Sequence, residues 1–263
     1  MAADIRRLVL FSIALSWSAS VFAETADELA QRNYQHNRVL DSTADLTMTL
    51  ANKAGDQRVR KLRSTTKLKA DGIDNMRLLT FSYPADVKGT TTLLVEQTGR
   101  DDDMWIYLPA LKKVRRLVAQ NKRDSFVGSD LSFGDILGHK PQDWTFKKVG
   151  EEMLDGVATA VIEATPKNSE VARNTGYSLR KLWLAADTAV ALRTDYFDEA
   201  GQALKTVTVS DVRAVDGAPG KTQFMRIEAS NQQSGSRTTM SFDGYKASVG
   251  ISADVFSPLA LEP

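Results

Sequence analysis

From Leu46 onward the chain alternates. In residues 46–50, LTMTL, Leu46, Met48 and Leu50 fall on one side of an extended chain and Thr47 and Thr49 on the other, because successive strand side chains point to opposite faces. The same period of two recurs at 58–68, 77–83, 91–97, 104–108 and 113–118, and after a break at 157–166, 177–185, 191–198, 204–210, 224–230 and 236–245. Each stretch is predicted to be a strand. Turn-forming runs such as NKAGD, DGIDN, DEAGQ and DGAPG separate them, so consecutive strands should pair as an antiparallel meander. A twisted sheet of this size tends to curl around its apolar face. The expectation is a mainly β fold with a few helices.

Two segments break the alternation. TADELAQRNYQHNRVL places Thr25 and Glu28 at capping-box spacing and spreads Leu29, Tyr34 and Val39 among polar residues, which predicts one amphipathic surface helix. Residues 119–144 lack the period of two but hold Phe126, Leu131, Phe133, Ile136 and Leu137. Loops of this length inside a compact domain are uncommon unless they serve a function or are disordered, and this apolar content argues against disorder. The segment is expected to be a lid over the apolar face of the sheet, with a short helix in SDLSFGDIL.

The first 23 residues carry Arg6 and Arg7, a short apolar run diluted by serines, and Val21 and Ala23 at the small-residue spacing of a processing site. This predicts a secretory signal peptide cut after Ala23, leaving residues 24–263 as one periplasmic domain. No cysteine is present, which excludes disulfides and thiolate metal sites. Without Arg6, Arg7 and Asp4, basic and acidic residues balance at 32 each. That balance argues against a nucleic-acid partner.

Little in the chain points to chemistry. His36 and His139 are the only histidines, too few for a metal cluster without carboxylate help, and each is expected at the surface or at a helix cap. Asp101–Asp103 read as a solvated turn, and Asp130 and Asp135 as residues near a helix cap supplied by Ser129 or Asp130. No nucleophile elbow, phosphate loop or dinucleotide fingerprint occurs; no catalytic residue, cofactor or metal is expected. An outer-membrane barrel would not end in SADVFSPLALEP or carry Lys and Arg on both faces of a strand, as RVRKLRSTTKL does.

The order of FSYPADVKGTTTLL, MWIYLPALKKVRRL, DSFVGSDLSFGDI, IEATPK and RTDYFDEAGQALKT resembles the outer-membrane lipoprotein-sorting protein family, with its LolA/LolB-like carrier fold. The resemblance covers residues 77–260. It implies an open, strongly curved antiparallel half-barrel whose helices cover an apolar cavity, and a carrier of acyl chains of lipids or lipoproteins, in some members alongside a resistance-nodulation-division-type exporter. The alternative is an exporter adaptor that carries nothing. On this reading Leu46, Met48, Leu50, Leu93, Val95, Trp105 and Tyr107 line the cavity, and Phe126, Leu131, Phe133 and Ile136 form the lid. Lys112, Lys113, Arg115 and Arg116, joined by Lys122 and Arg123, would meet anionic headgroups at the cavity mouth or an acidic partner.

Overall fold

The computed structural model describes residues 24–261; the expected signal peptide lies outside the described residues. The chain opens with helix α1 (Ala26–Gln35). Thr25 accepts from the Glu28 backbone N–H, and Glu28 returns a bond to the Thr25 N–H at 2.8 Å, the capping box anticipated above. Six strands follow: β1 (Asp41–Ala51), β2 (Gln57–Leu68), β3 (Asn75–Tyr83), β4 (Thr91–Val95), β5 (Asp103–Leu108) and β6 (Lys113–Leu117). After a connection containing helix α2 (Phe133–Leu137) come β7 (Trp144–Leu154), β8 (Val157–Pro166), helix α3 (Ser169–Thr175), β9 (Tyr177–Ala185), β10 (Ala191–Asp198), β11 (Ala203–Ala214), β12 (Thr222–Asn231) and β13 (Arg237–Ala247).

All thirteen strands belong to one open sheet, ordered β6-β5-β4-β3-β2-β1-β13-β12-β11-β10-β9-β8-β7. Every pairing is antiparallel. The expected meander therefore holds within each half. The halves join at the centre, where β1 and β13 set Leu46 opposite Phe242 and Met48 opposite Met240. The edges are β6 and β7, so the chain between them travels from one edge of the sheet to the other. That connection is the predicted lid segment.

One strand escaped the sequence reading. The non-strand interruption ends at Trp144, and β7 runs from there to Leu154 with most of its residues exposed. An edge strand solvated on both faces has no hydrophobic alternation to show, and its Lys147, Lys148, Glu151 and Glu152 suit an exposed edge.

The apolar side chains collect in three groups. Leu46, Met48, Leu62, Leu79, Phe81, Leu94 and Met104 of the sheet meet Phe126, Leu131, Phe133 and Leu137 of the connection. Phe126 is fully buried, with ring centroids 5.9 Å from Phe81 and 5.5 Å from Phe133. Burying a side chain of this size stabilises by roughly 1.5–3 kcal/mol. A second group packs Ala26, Leu29 and Ala30 of α1 on Trp144, Ile162, Leu182 and Leu184. The third lies on the opposite face of β4 and β5, where Leu93, Val95 and Tyr107 meet Phe256 and Leu261 of the C-terminal 3-10 turns.

Candidate functional site

Between the sheet, the end of α1 and the connecting segment lies a cavity of about 300 Å³. Leu46, Leu62, Leu79 and Leu182 contribute apolar surface from the sheet, and Phe126, Leu131 and Ile136 from the segment opposite. Residues of eight neighbouring strands, β3-β2-β1-β13-β12-β11-β10-β9, reach this one space.

Helix α2 is anchored over it by charge. Ser132 caps the helix, with Asp135 as its capping-box partner. Asp135 then accepts from Lys205 Nζ of β11 at 2.5 Å and from the Tyr177 hydroxyl of β9 at 3.0 Å, and lies 3.2 Å from His139 Nε2. Both side chains of the Asp135–Lys205 pair are 4% exposed. Burial opposes ionisation of Asp135, but the Lys205 ammonium and the hydrogen bond to His139 outweigh it and hold the carboxyl far below the usual carboxylate range. Burial, and then the Arg180 charge, push His139 down to about 4, so its ring is neutral at neutral pH. Next to α2, an Arg77 N–H of β3 donates to the Ile136 carbonyl.

A second buried pair sits near the end of α1. Arg38 Nη1 meets Glu96 Oε2 at 2.8 Å, with side chains 5% and 4% exposed. The guanidinium stacks over Tyr34 at 4.0 Å, and Glu96 also accepts from the Tyr34 hydroxyl and the Asn75 N–H.

These networks revise several expectations. His139 is buried rather than at the surface, whereas His36 is the C-cap residue of α1. The α2 cap is Ser132; Asp130 instead bonds Ser236 and Thr238 of the C-terminal half. The aspartate triplet is not a solvated turn, since Asp102 is buried against Lys122 at 2.7 Å and Lys140 at 2.6 Å, and Asp103 accepts from Arg100 and Arg116. Arg100 is only three residues from Asp103, but Arg116, Lys122 and Lys140 come from farther along the sequence, and no local signal announces those partners.

The expected cavity residues divide. Leu46 reaches the cavity, Met48 lies fully buried in the surrounding core, and Leu50 packs partly buried at the edge of that core. Phe126, Leu131 and Ile136 face the cavity, and Phe133 supports Phe126 edge-on. Leu93, Val95, Trp105 and Tyr107 are placed on the other face of the sheet, under the C-terminal turns. The strand β4 is buried on both faces, so alternation could not select the inner one; Leu94 and its partner Met104 face inward instead.

Lys112, Lys113, Arg115 and Arg116 are exposed at or beside edge strand β6 and outside the cavity lining. Arg116 pairs with Asp103 at 2.7 Å. Lys122 and Arg123 are engaged by Asp102 and Glu199. None of the six lines the cavity, and Lys122 and Arg123 are held by carboxylates of their own. Sequence reading missed Arg38, Arg77, Arg180 and Lys205, since nothing local distinguishes a buried arginine from a solvated one.

Comparison with known proteins gives a consistent picture. A family model whose description reads "-like: Uncharacterized protein" matches residues 74–263. No curated protein matches. Among solved structures, a DUF1329 family protein from Desulfovibrio piger is 32% identical, with a TM-score of 0.83 over 90% of this chain and 97% of that one. A domain described as an outer membrane lipoprotein-sorting protein from Vibrio parahaemolyticus is 26% identical, with a TM-score of 0.83 over 90% and 98%. A LolA superfamily protein from Nitrosomonas europaea, 17% identical, shares the fold with a TM-score of 0.69 over 89% and 98%. The chain therefore belongs to the DUF1329 family and shares the fold of the LolA superfamily protein.

Proposed function

We propose that the protein is a periplasmic carrier. After loss of residues 1–23, the chain from 24 to 263 acts as one domain that takes an acyl chain of a lipid or lipoprotein into its cavity and moves it toward the outer membrane. The observation that carries this reading is the cavity of about 300 Å³, walled by sheet leucines on one side and by Phe126, Leu131 and Ile136 on the other. A flat run of eight strands would hold β3 and β9 roughly 34 Å apart; their joint lining of one space supports a sheet bent around its apolar face into a half-barrel.

The transfer is passive. An acyl chain entering the cavity replaces contacts between the connecting segment and the sheet, so its affinity is the difference between two similar burials. Weak, reversible binding follows, as a carrier requires. The role needs no catalytic group. An inner-membrane exporter is the donor that the family resemblance implies, and the exposed Lys112, Lys113, Arg115 and Arg116 would meet anionic membrane or partner surfaces during docking.

Native mass spectrometry with lipid extraction tests this on protein isolated from periplasm without detergent. Co-purified lipid at one molecule per chain is expected. Protein that emerges lipid-free and takes up no acyl chain on titration would overturn the carrier and leave the exporter adaptor.

A further inference from the structure

The charges around the cavity do not balance. Arg38, Arg77 and Arg180 reach it, as do Glu96 and Asp135. Both carboxylates are already matched: Glu96 by Arg38 at 2.8 Å, and Asp135 by Lys205 at 2.5 Å. Neither Arg77 nor Arg180 has a carboxylate of its own among the described residues. Arg77 spends one N–H on the Ile136 carbonyl. Arg180 is 5% exposed, its Nε has no hydrogen-bond partner, and its guanidinium lies 3.9 Å from the centre of the Trp144 ring. Its charge also feels Tyr196, Tyr177 and the Asp135 carboxylate, but that carboxylate is already bonded to Lys205.

A buried charge without a counter-charge is costly, and natural interiors pair such groups or coordinate them. Here the unmatched guanidinium borders a cavity otherwise walled largely by leucine and phenylalanine. The volume sits at the lower end of small-molecule sites, about 300–1,000 Å³, which suits a single chain better than several.

We propose that the cavity binds a single-chain amphiphile with an anionic head, carboxylate or phosphate, seated on Arg180, its apolar body lying among Leu46, Leu62, Leu79 and Phe126, with Arg77 lining the same cavity. This rests on the carrier reading and names its ligand class. The guanidinium fork supplies paired donors to a planar or tetrahedral anion, and the arriving charge completes the balance that the protein leaves open. The sheet carries the arginines, so the head is held by the rigid wall, while the tail lies between that wall and the lid.

Titration calorimetry of the lipid-free full chain separates the possibilities, using palmitate, hexadecyl phosphate, hexadecanol and inorganic phosphate below their aggregation limits. Palmitate or hexadecyl phosphate, whichever head fits, should bind about tenfold or more tighter than hexadecanol, as expected for a charge-assisted bond to a buried guanidinium. Arg180→Met should erase that preference, leave hexadecanol binding unchanged, and leave the melting temperature of the empty protein unchanged or raised. Equal binding of hexadecanol and both anions would overturn the anionic head while sparing the carrier. Binding of inorganic phosphate as tight as hexadecyl phosphate would overturn the amphiphile. A fall in the melting temperature of Arg180→Met with the head preference retained would make Arg180 structural. Should that variant not fold, the comparison on the unaltered protein still decides. No binding of any acyl probe would refute the carrier itself.

Discussion

Asp135 of α2 and Lys205 of β11 meet at 2.5 Å, seventy residues apart, with both side chains almost fully withdrawn from water. This pair fastens the connection between the sheet's two edges to the middle of its second half. Removing one member strands the other charge in the interior, which costs about 3–5 kcal/mol. Lys205→Met should therefore lower unfolding free energy by that amount in urea titrations, while the double change Lys205→Met with Asp135→Leu should recover much of it. A double variant no more stable than the single one would show that the pair is not the unit of stabilisation.

His139 makes the same region sensitive to mild acid. Its folded pKa lies near 4, below the ordinary histidine value of 6.5, and the groups facing it are Asp135, Arg180 and Lys205. Between those two values the unfolded chain binds a proton that the folded chain refuses, so stability rises with pH across the window and is lost as pH falls from 6.5 toward 4. The loss is on the order of 3 kcal/mol. Asp135, with its pKa depressed, adds stability that persists above its unfolded value of 3.8 and disappears only in stronger acid. His139→Gln should flatten the stability profile between pH 4 and 6.5, a range accessible to thermal melts.

Ala44 of β1 is buried beside the cavity. Ala44→Phe would fill space that the acyl chain needs. Binding of an acyl probe should drop about tenfold or more, while stability changes by no more than about 1–3 kcal/mol, the usual cost of overpacking. The charge substitution Met48→Glu behaves differently. Met48 is completely buried in the core rather than exposed to the cavity, and an unpaired carboxylate there should unfold the protein, visible as loss of the cooperative transition in circular dichroism.

The basic edge offers a surface prediction. Lys113 and Arg115 are exposed on β6. Reversing both to Glu should weaken sedimentation with vesicles of anionic lipid several-fold at low salt and leave stability within about 1 kcal/mol, because exposed charges contribute little to folding. Unchanged vesicle binding would remove these residues from the docking surface.

The alternation of Leu46, Met48 and Leu50, the turn residues and the Thr25–Glu28 cap made twelve of the thirteen strands and the first helix legible. These features depend on local geometry, which a short sequence window contains. The lid was visible for the complementary reason: Phe126, Leu131 and Phe133 were apolar without a period of two. Three things were decided only by the tertiary structure. The solvated strand β7 carries no pattern because it packs on little. The inner face of β4 was chosen by Phe256 and Leu261, which cover the outer one from more than 150 residues away. The pairing of Asp135 with Lys205, and the lack of an ion-pair partner for Arg180 among the described residues, depend on which strands become neighbours. Charge burial is set by partners distant in sequence, whereas strand and helix periods are written by residues side by side.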